Sequence, residues 1–207
     1  PSISGRLIGN IGFFFEPILL TKILLSKNIS NTYIAKEYGI YNAYSISLLL
    51  FPSFFVSAIS NSLLPEISKL HSKKNKNLVK RRIKQAICMS LTVGIICTTF
   101  IFFNCEFLLK KIYNTTEGST YIKVLAPFFI LYYLEAPLTS ILVGLNKVKK
   151  CVFISTSGIF LKLLIMCILA LLNFKMYSLI IAEIINIIYV TLLDIISVNY
   201  TLKKEIL

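Results

Sequence analysis

Six long apolar stretches, separated by short polar ones, run through the chain: Ile3–Leu25, Ile40–Leu64, Gln85–Phe107, Tyr121–Leu145, Val152–Leu172 and Tyr177–Tyr200. Each covers about 21–25 residues, or roughly 31–38 Å as helix, against a bilayer hydrocarbon core of about 30 Å. The runs are continuous rather than alternating, which argues against the short strands of a barrel. The pattern therefore predicts an all-α, polytopic membrane protein with six transmembrane helices in a single unit over residues 1–207. Prolines at Pro17, Pro52, Pro127 and Pro137 remove backbone donors inside these runs and predict kinks. The second and fourth runs echo each other: Pro52-Ser-Phe-Phe in one, Pro127-Phe-Phe in the other.

Composition agrees. The chain is 56% hydrophobic and only 15% charged, whereas soluble domains carry about 25% charged residues. The net charge is +13, and its distribution matters more than its size. Eight cations fall between Lys69 and Lys84: Lys69, Lys73, Lys74, Lys76, Lys80, Arg81, Arg82 and Lys84. In isolation this run resembles a nucleic-acid patch. Between two apolar segments it reads as a cytoplasmic connection, in contact with anionic membrane lipid and with no nucleic acid required. With that connection placed inside, fourteen Lys and Arg fall inside and seven outside, with Lys162 left within a segment. Both ends of the chain are then expected in the cytoplasm of a multi-pass plasma-membrane protein.

Several chemistries are not supported. Cys88, Cys97, Cys105, Cys151 and Cys167 form no C-x-x-C, and His71 is the single histidine. No metal centre or cofactor is expected, and the cysteines read as small apolar side chains. No G-x-x-x-x-G-K-[ST] occurs, and the outer connections carry no recognisable acid/base or nucleophile set, so no enzyme is expected. The first residue is Pro1, and the first apolar run is too long for a signal-peptide core of about 7–15 residues. An internal or C-terminal piece of a longer membrane protein is expected.

The polar residues inside the apolar runs are the candidates for function, because a charge at mid-membrane costs about 2.5–3.5 kcal/mol on insertion scales. Ser2, Gly5, Gly9, Gly12 and Glu16 are spaced 3, 4, 3, 4 and share one helix face. Gly5-x-x-x-Gly9 is a close-packing motif, which turns Glu16 toward protein just before Pro17. Arg6 and Asn10 share a neighbouring face. Arg6 reads either as snorkelling to inner headgroups or as a site for a phosphate or diphosphate. Glu135 lies mid-segment on a face with Tyr132 and Thr139, and Lys162 on a face with Ser155 and Gly158. Glu183, Asn186, Asp194 and Ser197 recur at helical spacing in the last run, with Asp194 expected at the inner headgroup interface. A Glu–Lys pair that locks helices is one reading of this set. The other is a polar cavity that binds substrate, protons or cations, since one lysine cannot neutralise Glu16, Glu135 and Glu183 together.

The order of several short motifs is similar to a known family. These are Gly5-Arg6-Leu7-Ile8-Gly9 with Phe15-Glu16-Pro17-Ile18, Phe51-Pro52-Ser53-Phe54, and Leu64-Pro65-Glu66-Ile67-Ser68. Leu125-Ala126-Pro127-Phe128-Phe129, Pro137-Leu138 and Gly144-Leu145 follow. On these the chain resembles the sporulation-associated, polysaccharide-transporter branch of the multidrug/oligosaccharidyl-lipid/polysaccharide exporter superfamily. The resemblance implies the C-terminal lobe of a two-lobed exporter, with the N-terminal lobe absent from this sequence. It implies alternating-access transport of a lipid-linked saccharide, such as a peptidoglycan or spore-cortex precursor, with cell-wall synthesis enzymes as further partners. The resemblance implies that Arg6, with Asn10, takes the role of the cavity arginines that hold the diphosphate in lipid-linked-precursor flippases. Glu16, Glu135, Lys162 and Glu183 then line the cavity or couple transport, and Pro17, Pro52 and Pro137 supply kinks for rocking. Two rival readings stand beside this one: an ion-coupled multidrug or cation exporter, and a non-transporting scaffold for cell-wall synthesis.

Overall fold

The computed structural model describes the backbone of residues 2–73 and 75–205, and the side chains of residues 12, 14–73 and 75–204. All regular structure among these residues is helical: α1 (Ser2–Ser26), α2 (Asn31–Gly39), a π-helical segment (Ile40–Ile46), α3 (Ser47–Leu50), α4 (Ser53–Ser72), α5 (Lys76–Tyr113), α6 (Ser119–Gly144), α7 (Val148–Leu171) and α8 (Tyr177–Glu205). α5, α6, α7 and the stretch Tyr177–Lys204 are each long and apolar enough to cross a bilayer. A fifth span is added if Asn31–Leu50 and Ser53–Ser72, bent by 52°, count as one broken crossing. This is a multi-pass membrane protein, with four or five spans among the described residues.

α6 occupies the middle. It packs against α4, α5 and α8, while α1 reaches the bundle through α7. Its sequence permits this: Tyr121, Leu125, Phe129, Leu134, Leu138 and Ile141 are buried on different sides of one helix. The core divides into two zones. Leu20, Leu24, Ile34, Leu49, Ile122, Phe129 and Leu179 belong to one. Leu63, Ile67, Val79, Ile83, Leu138, Ile141 and Val198 belong to the other. Phe54, Phe103, Phe153 and Phe160 point outward, each more than two-thirds exposed, as expected of lipid-facing side chains.

The second expected helix, Ile40–Leu64, is corrected in three ways. It begins earlier, at Asn31, because Ser30 caps α2 by accepting from the Tyr33 backbone N–H at 3.3 Å. It widens into a π-helix over Ile40–Ile46, where the Ser45 and Ser47 hydroxyls donate to carbonyls five residues back (Ile40 and Asn42, 3.2 and 3.1 Å). It then breaks at Phe51–Pro52. Pro52 has no N–H, so the Leu48 carbonyl accepts from Phe51 instead, at 3.3 Å. The Leu49 carbonyl accepts a 2.6 Å hydrogen bond from the buried Tyr133 hydroxyl of α6. Tyr133→Phe removes that donor, leaving an acceptor with no water to turn to. A loss of about 1–3 kcal/mol is expected, read as a lower melting temperature of the purified protein.

α1 runs through Pro17, and α6 through Pro127 and Pro137, without interruption of the helix. α5 breaks where no proline stands: Asn104 leaves the helical region (φ −109°, ψ 15°) while its Nδ2 donates to the Phe100 carbonyl at 3.0 Å.

The basic stretch Lys69–Lys84 is not an open connection. α4 continues to Ser72 and α5 starts at Lys76, capped by Asn75. Val79, Ile83 and Ala86 are buried against the α4 and α6 ends, and Arg82 Nε lies 2.7 Å from the Glu66 carboxylate of α4. Apolar spacing under the charges carries the helices past the expected ends at Leu64 and Gln85.

Candidate functional site

The site forms where α1, α6, α7 and α8 meet. Two close approaches set the spacing of the helices. A Cβ on Gly12 of α1 would lie 2.2 Å from Ile159 Cγ2, and one on Gly158 of α7 would lie 2.4 Å from Val190 Cγ2 of α8. Only glycine allows both helices to come so near α7. Four residues beyond each glycine, α1 presents Glu16 and α7 presents Lys162, so the helix repeat carries the contact face directly to the charges. Lys162 Nζ forms an ion pair with the Glu16 carboxylate of α1, and lies 2.5 Å from Glu183 Oε2 of α8. The ammonium thus bridges three helices. Lys162 is 6% exposed and Glu16 4%, so the pair is sheltered from water. Such a pair is held because breaking it strands a buried charge, rather than because forming it is highly favourable.

A cavity of about 190 Å³ lies beside this bridge, bounded by Glu16, Lys162, Glu183, Glu135, Asn186 and Tyr132 among others. Glu135 Oε1 and Asn186 Oδ1 are buried without a hydrogen-bond partner among the described residues. A smaller cavity of about 150 Å³ lies on the other side of the bridge. It is walled by the π-helical segment (Tyr41, Asn42 and Ile46) and Tyr38. The Tyr38 hydroxyl stands 3.5 Å from Glu16 Oε1, a long hydrogen bond. Two carboxyls therefore face one ammonium, and a third, Glu135, lines the same cavity. If all were ionised, the site would carry a net charge of about −2 in a low-dielectric setting. A proton, or a cation from beyond the described residues, would offset it.

Of the residues singled out from sequence, Glu16, Lys162, Glu183 and Glu135 come together around one cavity. Tyr132 and Ser155 join them there, and Gly12 and Gly158 provide the helix contacts. The side chains of Arg6 and Asn10 lie outside the described residues, as do those of Ser2, Gly5 and Gly9. Asp194 departs from expectation: it is 2% exposed, buried within the bundle rather than reaching headgroups. Sequence reasoning missed Tyr38, at the end of α2, and Tyr41 and Asn42, which reach the site from the π-helix. The available signal was three polar-tipped residues at i, i+3 and i+4 inside an amphipathic turn.

Residues 42–169 match the MatE family. The chain belongs to the MatE family. It is also 33% identical to stage V sporulation protein B of Bacillus subtilis (strain 168) over 162 residues, which is 78% of this chain and 31% of that protein. Sporulation protein YkvU of the same organism is 24% identical over 153 residues, 74% of this chain and 34% of its own length. The chain therefore spans about a third of the length of the curated relatives it matches. No solved structure matches it. The matched region of this MatE-family chain contains Lys162 and Glu135, while Glu16 and Glu183 flank it.

Proposed function

We propose that this MatE-family chain is a six-helix lobe, residues 1–207, of a two-lobed exporter. The exporter moves a polyprenyl-diphosphate-linked saccharide across the plasma membrane by alternating access. The cargo is a cell-wall or spore-cortex precursor; both curated relatives carry sporulation in their names. The observation that carries the reading is the Lys162 bridge between Glu16 and Glu183, beside a polar cavity within a membrane-spanning bundle. A bundle that served only as a scaffold would gain stability from apolar residues there, and would have no use for the third carboxyl, Glu135. A charge bridge across three helices can instead open and re-form as a lobe rocks. The break at Pro52 and the π-helix beside Glu16 are places where such motion can be absorbed.

Orientation follows from charge. Lys36 and Lys123, assigned to the outer side, are each paired, with Glu117 and Glu106 at 2.6 and 2.7 Å. The opposite end carries twice as many cations, and both ends of the chain lie there, in the cytoplasm. Arg6 and Asn10 grip the diphosphate near that face. The uncompensated carboxyls favour a second reading, an ion-coupled drug or cation exporter driven through Glu16 or Glu135. Transport of labelled polyprenyl-diphosphate saccharide into proteoliposomes by the full-length protein decides between them. Arg6→Ala is expected to reduce it at least about tenfold, the weight of one charge-assisted contact, with normal expression and folding. Unchanged transport removes the phosphate role. Gradient-driven efflux of a cationic dye, with no saccharide transport, favours the second reading.

A further inference from the structure

A third cavity lies between α4 and α6, on the far side of Glu135 from the lysine bridge. Its volume is about 360 Å³. That falls within the range of small-molecule sites, about 300–1,000 Å³, whereas the two cavities beside Lys162 do not. Its walls mix apolar and polar groups: Val56, Tyr133 and Ala136 stand beside Ser53, Ser57 and Asn61 from α4 and Ser140 from α6, with Glu135 the single carboxyl and Tyr132 an aromatic side.

Polar side chains of this cavity are left without a hydrogen-bond partner among the described residues, as the buried Ser90 and Thr98 hydroxyls of α5 also are. Serine and threonine inside membrane helices usually donate to a carbonyl three or four residues back. Ser62, Thr92, Ser157 and Thr201 all do so. In this cavity Ser60 follows suit, but Ser53 Oγ is buried with no partner among the described residues, and so is Glu135 Oε1. Ser57 and Asn61, more exposed, make no side-chain hydrogen bond among the described residues. Unspent donors and acceptors of this kind, spaced around a cavity with an aromatic wall, match a ligand that is itself ringed with hydroxyls. An apolar drug would leave them unpaired, at a cost for each. A metal ion would find one carboxylate and weak hydroxyl ligands.

The geometry points to a subsite for a polyhydroxylated ring in the α4–α6 cavity, with Ser53, Ser57, Asn61 and Glu135 bonding the hydroxyls and Tyr132 covering a ring face. This rests on the reading of the protein as a carrier of a lipid-linked saccharide, and assigns the sugar to α4–α6 and the charge chemistry to the neighbouring cavity.

The test uses full-length protein in nanodiscs and four probes: polyprenyl diphosphate bearing one N-acetylglucosamine, polyprenyl diphosphate alone, a glucosyl diacylglycerol and diacylglycerol. The parent is expected to bind the sugar-bearing carrier about tenfold more tightly than the bare one, as expected for one or two hydrogen bonds. Ser57→Val with Asn61→Leu should bring that ratio close to one and leave bare-carrier binding unchanged. Glu135→Gln, isosteric and separately placed, should lower the ratio severalfold and decides the matter if the double variant does not fold. A parent that distinguishes neither the two carriers nor glucosyl diacylglycerol from diacylglycerol overturns the subsite. So does a ratio unmoved by these variants. Glucosyl diacylglycerol bound with the same sensitivity, and the carrier not bound, supports the subsite for a glycolipid headgroup and removes the carrier reading. Discrimination retained without transport removes the flippase reading and leaves the subsite standing.

Discussion

Lys162→Met is expected to destabilise the protein by about 3–5 kcal/mol, the usual penalty for removing one partner of a buried ion pair. The reason is specific to the geometry. Glu16 from α1 and Glu183 from α8 both face Lys162 on α7, and the Tyr38 hydroxyl at 3.5 Å is the further polar contact to Glu16. Without the ammonium the two carboxylates repel each other across a sheltered cavity and push α1 and α8 off α7. Thermal melting of the purified protein, followed by retention as a single species on size exclusion, reads this directly. Glu16→Gln, Lys162→Met and Glu183→Gln combined should regain most of the lost stability, because no buried charge is stranded. A triple variant as unstable as the single one would show that packing, not charge, makes Lys162 indispensable.

Gly158→Leu carries the second large effect. A Cβ alone would sit 2.4 Å from Val190 Cγ2 and 2.8 Å from Asn186 Oδ1. Val190 is β-branched and buried, so it has little freedom to yield. Overpacking of this kind costs about 1–3 kcal/mol. In a bilayer, where close helix packing replaces the hydrophobic drive, there is little to compensate it. The displaced α8 would also draw Glu183 away from Lys162. Gly158→Leu should therefore lower the melting temperature and additionally weaken any dependence of stability on Lys162. A double-mutant cycle with Lys162→Met measures that coupling. Additive effects would separate the helix contact from the charge bridge.

Much of the site could be read from sequence because membrane burial makes charge conspicuous. Glu16, Glu135, Lys162 and Glu183 stand out as interruptions in apolar runs, and the 3–4 spacing of Gly12 and Glu16 sets both on the α7-facing side of α1. The all-helical, multi-pass character is equally plain. The misses have physical causes. Val79, Ile83 and Ala86 carry an apolar stripe at helical spacing, but eight neighbouring cations mask it, so the helix ends read as a connection. The π-helix at Ile40–Ile46 leaves no hydropathy signal. It depends on tertiary contact, visible in Ser45 Oγ reaching the Gly118 carbonyl at 3.2 Å as well as its own helix. Asp194 looked interfacial from its place near the end of a run. Burial there is decided by how α8 packs, which one-dimensional position does not give.

The central claim is that the Glu16–Lys162–Glu183 bridge serves transport and not only folding. Flipping of a polyprenyl-diphosphate saccharide in proteoliposomes, by full-length protein carrying Glu16→Gln, Lys162→Met and Glu183→Gln together, tests it most directly. The account predicts a protein that inserts and folds, melts close to the parent, and moves the substrate at least about tenfold more slowly, a barrier rise of about 1.4 kcal/mol or more. Transport at the parental rate by that folded variant would contradict it.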